Sequence, residues 1–322
     1  MPTDSDVARR LAPALWSFAA ARTDLSPELI DAIRLSLNER RRAAAHALDS
    51  TGVAIVDTAV RIGTQSIPVR IYRGGPAPAP TVIYCHSGAF VLGNLDTDHF
   101  QCVELAKRGL CTVISVDYRL APEYPYPAAA DDVFAVLEWA VTSSAALGID
   151  TARLAVAGSS AGGALAARLA QQAADGVAPA LVFQLLHQPV LDDRPMPSKE
   201  EFQATPGFDG PAAARMWQYY LGDERVPHGA VPGRAAELTG LASALITCSE
   251  LDPLRDEAVD YALRLMWAGV ATELHVYPGT CHGFDSLVPQ WETSQQLFAT
   301  QGAALRRAFY PASANSLATA AW

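Results

Sequence analysis

Several features that mark large classes of protein are scarce in this 322-residue sequence. Lysine is almost missing, with Lys107 and Lys199 alone, and acidic residues exceed Lys and Arg by 34 to 24, a formal net charge of -10. Nucleic-acid binding needs a basic face that releases counterions, so this balance argues against a nucleic-acid partner. The one basic cluster, Arg40 to Arg42, falls in a helical pattern and is expected to form a solvated face. The five cysteines, Cys85, Cys102, Cys111, Cys248 and Cys281, are odd in number and none has C-x-x-C spacing. Neither a disulfide framework nor a zinc site is indicated, and a reducing compartment is expected. The amino terminus, MPTDSDVARRLAPALW, has two acidic residues and no uninterrupted apolar core, unlike a secretory signal. No later run approaches the ~18 apolar residues of a membrane span, so a soluble cytoplasmic protein is expected.

What is present is a hydrophobic chain with two periodicities. Residues 4–48 read as helices, and SPELIDAIRLSLNERR carries a serine cap with proline in the first turn. From Val53 the β-branched runs VAIVDTAVRI and IPVRIYRG read as two strands. Apolar runs at 81–86, 111–118, 153–160, 180–189, 243–252 and 272–279 then alternate with helical stretches, the mark of a mostly parallel sheet covered on both faces. The reading is one doubly wound α/β domain. It assigns 1–50 to a helical amino-terminal segment and 51–322 to the main domain, interrupted at 192–235 by a polar, Pro-rich insertion with one short helix. Insertions of this kind commonly form lids or pocket walls.

The stretch AVAGSSAGG ends a strand and opens a helix, the context of a G-x-S-x-G nucleophile elbow. Centred on Ser160 the flanking residues are Gly158 and Gly162, whereas centred on Ser159 they are alanines. The glycines matter because a tight strand-to-helix turn leaves no room for side chains there. The G-x-G-x-x-G and G-K-[ST] spacings of phosphate loops are absent. A serine hydroxyl needs a base, and the base an orienting acid. His282, in PGTCHGF after the last strand-like run, is the candidate base, with Gly283 allowing a tight loop. Asp252 ranks first as the acid because it gives the chain order Ser, Asp, His; Asp192 and Asp193 are rivals, and Asp256 and Glu257 fit a helix amino terminus.

These residues resemble the hormonesensitive-lipase-like branch of bacterial carboxylesterases. The likeness runs from about Ser66 to Tyr310 and rests on HSGAF, DYRLAPEYPYPAAADD, GSSAGG, and DPLRDE followed by HGF. It implies an eight-stranded α/β-hydrolase fold with a helical cap made of the amino-terminal helices and the 192–235 insertion. It also implies short- to medium-chain ester substrates, no metal or organic cofactor, and a homodimer. Carried over by position, the oxyanion donors are the backbone N–H groups of Gly88, Ala89 and Ala161, with His86 and Ser87 in support. The family's three glycines are here Ser87, Gly88 and Ala89, so Gly88 is expected to be the single position with positive φ while Ser87 and Ala89 stay in ordinary conformations. The Ser87 hydroxyl is expected to turn away into a hydrogen bond and Ala89 to line the pocket. Arg119 and Glu123 are expected to pair and brace the loop after the 111–118 strand.

Two other functions compete with an esterase. A non-catalytic small-molecule receptor can use the same fold, but Ser160, Asp252 and His282 are all present. An amide or peptide hydrolase would use similar chemistry, but no large amino-terminal or propeller domain of the oligopeptidase kind is read in this sequence, so oligopeptidase activity is not expected.

Overall fold

Eight strands form one sheet in the computed structural model, which describes residues 4–222 and 226–311. They are β1 (Ala54–Ile62), β2 (Gln65–Arg73), β3 (Ala79–Cys85), β4 (Thr112–Val116), β5 (Ile149–Ser159), β6 (Phe183–His187), β7 (Ser243–Leu251) and β8 (Thr272–Cys281). Their spatial order is β1-β2-β4-β3-β5-β6-β7-β8. The pairs β1–β2 and β2–β4 are antiparallel, and every pairing from β4 to β8 is parallel. Residues 1–3, 223–225 and 312–322, which include parts of the expected segments, lie outside the described residues.

Residue choice explains the layering. All of β3 is buried, whereas β1 exposes most of its length, as central and edge strands should. In the β3–β5 register Ile83 lies beside Val156 and Val82 beside Ala155. Successive side chains enter opposite cores, so Ile83 and Val156 join one cluster while Val82, Tyr84 and Ala155 join another. Each such aliphatic side chain, fully buried, contributes about 1.5–3 kcal/mol.

Before the sheet come α1 (Asp4–Arg10) and α2 (Ile30–Ala47), followed along the chain by α3 (His99–Gly109), α4 (Ala128–Thr142), α5 (Ser144–Leu147) and α6 (Ala161–Ala174). Later helices are α7 (Pro197–Glu201), α8 (Gly210–Leu221), α9 (Arg255–Trp267), α10 (Phe284–Leu287) and α11 (Glu292–Phe309). Leu105 of α3 and Leu305 of α11 share one core; Val133 of α4, Leu165 of α6 and Leu265 of α9 share the other. The sheet is therefore covered on both faces.

The amino-terminal segment differs from its expected start. Ser26 caps nothing through its side chain; it opens a turn, accepting the Ile30 N–H at its carbonyl, and α2 begins at Ile30. The insertion holds two helices, α7 and α8, instead of one. Asp209 starts α8 by accepting the Ala212 N–H at 3.0 Å, with proline beside it in the first turn. Segment and insertion touch: the Tyr219 hydroxyl donates to the Leu25 carbonyl at 2.9 Å and the Gly207 N–H to the Ala21 carbonyl at 3.0 Å.

The expected Arg119–Glu123 pair does not form. Arg119 instead grips buried Asp132, with its Nε and Nη2 donating at 2.9 and 2.8 Å. Glu123 accepts two bonds from Arg34 of α2, at 2.6 and 2.9 Å. Sequence proximity favoured the wrong partner, because Asp132 presents its carboxylate one helical turn into α4 and Arg34 arrives from a distant helix. Arg34 also donates to the carbonyls of Val91 and Ala121, at 2.7 and 2.8 Å, which fastens α2 beside the 86–92 loop.

Candidate active site

Ser160 stands between β5 and α6 with φ 55° and ψ -119°, an unfavourable region for a side chain-bearing residue. The turn is overdetermined. The Ser160 N–H donates to the His187 carbonyl at 2.9 Å, and its own carbonyl accepts from Gly163 and Val190 at 2.9 and 3.0 Å. A Cβ on Gly158 would overlap the Gly162 carbonyl, and one on Gly162 would overlap the Cys85 carbonyl. Both glycines are therefore required by close backbone approach.

Three distant side chains meet there. His282, in the loop after β8, places Nε2 2.9 Å from Ser160 Oγ and Nδ1 2.8 Å from Asp252 Oδ2. Asp252 is fully buried at the end of β7, and its Oδ1 accepts the Leu254 N–H at 2.8 Å. With Nδ1–H donated to the carboxylate, Nε2 is left as an acceptor for the serine hydroxyl. Burial opposes a charge on His282, but the negative Asp252, aided by Asp285 and Asp98, lifts its pKa above the ordinary imidazole value. The Phe208 ring lies 5.0 Å from the His282 ring, centroid to centroid.

The rival acids are committed elsewhere. Asp192 is bound by Arg194 and Asp193 by Arg234. Asp256 accepts the Ser198 N–H at 2.8 Å, and Glu257 is buried against Lys199 at 2.6 Å, its carboxyl pushed up to about 7 by burial. Both sit in the first turn of α9, where the helix dipole favours negative charge, an effect that burial outweighs at Glu257.

The HSGAF loop lies beside this group. Gly88 and Ala89 line the cavity, Ala161 is the first residue of α6, and the amides of all three find no backbone acceptor among the described residues. The backbone corrects the expectation made for the loop: φ is positive at Gly88 (133°), at Ala89 (55°) and at Phe90 (59°). A tight turn follows, in which Gly88 O accepts from both Val91 and Leu92, at 3.0 and 2.8 Å. Glycine is needed at 88 because a Cβ would overlap the Leu92 carbonyl oxygen, while Ala89 accepts the left-handed region at a cost of about 1 kcal/mol. Ser87 does turn away. Its Oγ donates to Asp98 Oδ1 at 2.9 Å and its N–H to Asp98 Oδ2 at 2.7 Å. His86 donates Nδ1–H to the Ser87 carbonyl at 2.8 Å and stacks on Tyr118, whose hydroxyl donates to the His86 carbonyl at 2.7 Å. Burial pushes the His86 pKa down to about 4, which keeps it neutral.

A cavity of about 490 Å³ opens onto Ser160 and His282. Ala89 lines it, as do Leu37 and Arg41 of α2 and Gly207 and Phe208 of the insertion. Arg41 is thus no solvated surface residue. Sequence reasoning also passed over Gln188, Asp98 and the buried network in which His187 meets Thr247 Oγ1 at 2.8 Å and Asp285 at 3.1 Å. His187 and Asp98 carried no motif, and only the meeting of separate strand ends reveals their roles. Among the described residues no group of His, Cys, Asp and Glu could hold a metal ion, and no helix is long and apolar enough to cross a membrane.

Comparison with known proteins agrees with this fold. A family model described as the alpha/beta hydrolase fold matches residues 82–286. The chain is 40% identical over 263 residues to the esterase LipI of Mycobacterium tuberculosis, covering 79% of this chain and 81% of that one. It is 39% identical over 231 residues to an ethyl acetate hydrolase of Pseudomonas putida, covering 68% and 72%. Among solved structures, esterase LipW from Mycobacterium marinum superposes with a TM-score of 0.92 at 58% identity, covering 94% of this chain and 98% of the other.

Proposed function

The chain belongs to the alpha/beta hydrolase fold family and is a carboxylic ester hydrolase, and from that premise we propose that Ser160, His282 and Asp252 perform the reaction. Ser160 Oγ attacks the ester carbonyl carbon while His282 Nε2 takes its proton. The carbonyl oxygen becomes an oxyanion, and the backbone N–H groups of Gly88, Ala89 and Ala161 donate to it. His282 then returns the proton to the departing alcohol, which leaves an acyl-enzyme. Water, deprotonated by the same imidazole, releases the acid and restores Ser160. Asp252 keeps the imidazole in its working tautomer and stabilises its charge in the transition state.

The observation that carries this reading is the unbroken line from Ser160 Oγ through both His282 nitrogens to Asp252, at 2.9 and 2.8 Å. A chromogenic short-chain ester tests it: hydrolysis by the wild type and its loss in Ser160→Ala support the reading. An unchanged rate in Ser160→Ala would end it.

The substrate reading is a small-molecule ester of short to medium acyl chain, supported by the cavity size and by the relative named for ethyl acetate. The 1–50 segment and the 192–235 insertion act as the cap, because residues of both line the cavity. No organic cofactor or metal enters the proposed steps. A cytoplasmic location is supported by five free, buried thiols, and a homodimer by the family resemblance; light scattering on the purified protein tests the latter.

A further inference from the structure

Arg41 belongs to the face of α2 that lines the cavity. Leu37, Arg41, Ala44 and Ala45 recur there at helical spacing, Leu48 follows just past the helix end, and Arg41 alone among them is charged. Its Nη1 is buried and has no hydrogen-bond partner. A guanidinium does not shed its proton near neutral pH, so a donor in that position is strongly unfavourable until an acceptor arrives. Burial lowers the Arg41 pKa, and the attraction of Asp98 offsets part of that effect.

The carboxylates around the same cavity are already committed. Asp98 accepts from Ser87 N–H, Ser87 Oγ and the Tyr84 hydroxyl. Asp285 is held by His187 and by Gln101 Nε2 at 3.0 Å, and Asp96 is ion-paired with Arg70 at 2.9 Å. Arg41 is the charged cavity residue left with an open donor.

We propose that Arg41 receives the carboxylate of the substrate, so that esters with a second, anionic end, such as half-esters of short dicarboxylic acids, are preferred over neutral esters of equal length. This inference rests on the reading of Ser160 as the reacting serine. A carboxylate suits the site because it can take two parallel bonds from a guanidinium, which a neutral carbonyl cannot. The net charge of -10 gives no long-range attraction to anions, so the preference arises in docking and not in encounter.

The test compares kcat/KM for p-nitrophenyl pentanoate, mono-p-nitrophenyl glutarate and its neutral methyl ester, which share one acyl length, in wild type, Arg41→Met and Arg41→Lys. The ratio of glutarate half-ester to pentanoate is expected to fall about tenfold or more in Arg41→Met, the scale of one charged hydrogen bond, and less in Arg41→Lys. The ratio for the neutral methyl ester should move much less. Equal falls for the half-ester and its methyl ester, or an unchanged ratio, would overturn the proposal. If Arg41→Met does not fold, the wild type still decides: a half-ester turned over less efficiently than the pentanoate contradicts it. A wild type that cleaves neither ester sinks the Ser160 reading itself, a different and separable failure.

Discussion

Gln188 and Gly283 are joined by a 2.7 Å hydrogen bond from the Gly283 N–H to Gln188 Oε1, which ties the end of β6 to the loop that carries His282. The other end of the same amide donates to Ser249 Oγ at 2.7 Å, and the Ser249 hydroxyl donates to the Cys281 carbonyl at 3.0 Å. The backbone on both sides of His282 is thus held by two linked side chains, Gln188 directly on one side and Ser249, itself bound by Gln188, on the other. Gln188 adopts φ 45°, and the carbonyl of the residue before it accepts the Ser160 N–H, so serine and base are anchored to adjacent peptides.

Gln188→Ala is therefore expected to lower kcat by about tenfold to a hundredfold, the scale of a small misplacement of a reacting group. KM should change little, because the lost bonds hold the base. Steady-state kinetics on one short-chain ester separates the two constants. A rise in KM with kcat intact would assign Gln188 to substrate binding instead.

The loop at 86–92 predicts an asymmetry between neighbours. Gly88→Ala must move the Leu92 carbonyl and should reduce activity by at least about a hundredfold, the measured scale for loss of an oxyanion donor. Ala89→Gly relieves a left-handed alanine and should retain activity while stabilising the fold by up to about 1 kcal/mol, read from the urea midpoint. Similar activity losses in both variants would contradict this geometry.

His282 must be neutral to act as a base, and its pKa is raised above the ordinary value of about 6.5. The acidic limb of the kcat/KM profile should accordingly lie above that value in wild type. Asp252→Asn removes the main group that raises it, so the limb should move to lower pH while the rate falls by about 10⁴. The His282–Asp252 attraction stabilises the fold fully below about pH 6.5 and fades as pH rises through the elevated folded value, so the stability gap between wild type and variant should narrow in that direction.

Arg34 fastens α2 to the carbonyls of Val91 and Ala121 and to Glu123. Arg34→Met should free the amino-terminal segment, raise KM severalfold and speed proteolytic cleavage before Val53. Resistance to protease equal to wild type would show that the remaining contacts suffice to hold the segment.

Much of this was legible in sequence because its signals are local. The nucleophile turn announces itself through Gly158 and Gly162, which leave no room for a side chain because the Gly162 carbonyl closes on the first and the Cys85 carbonyl of the neighbouring strand on the second. The alternation of apolar runs and helices is likewise written along the chain, and eight strands appear in the expected class of sheet. Partnerships across the sheet were not legible. Arg119 and Glu123 lie four residues apart yet choose Asp132 and Arg34, and Arg41 looked like solvated surface until α2 was set over the cavity. The φ values of the 86–92 loop were misjudged for a related reason: the Ser87–Asp98 and Arg34–Val91 bonds that hold it come from outside the motif.

The central claim is that Ser160 forms the covalent acyl intermediate. Its most direct measurement is mass spectrometry of peptides from protein treated with a serine-reactive phosphonate carrying a short alkyl chain. The account predicts one adduct, on Ser160, formed in step with loss of esterase activity and slowed in His282→Ala. Modification of Ser159 instead, or full activity in protein whose Ser160 is modified, would contradict it.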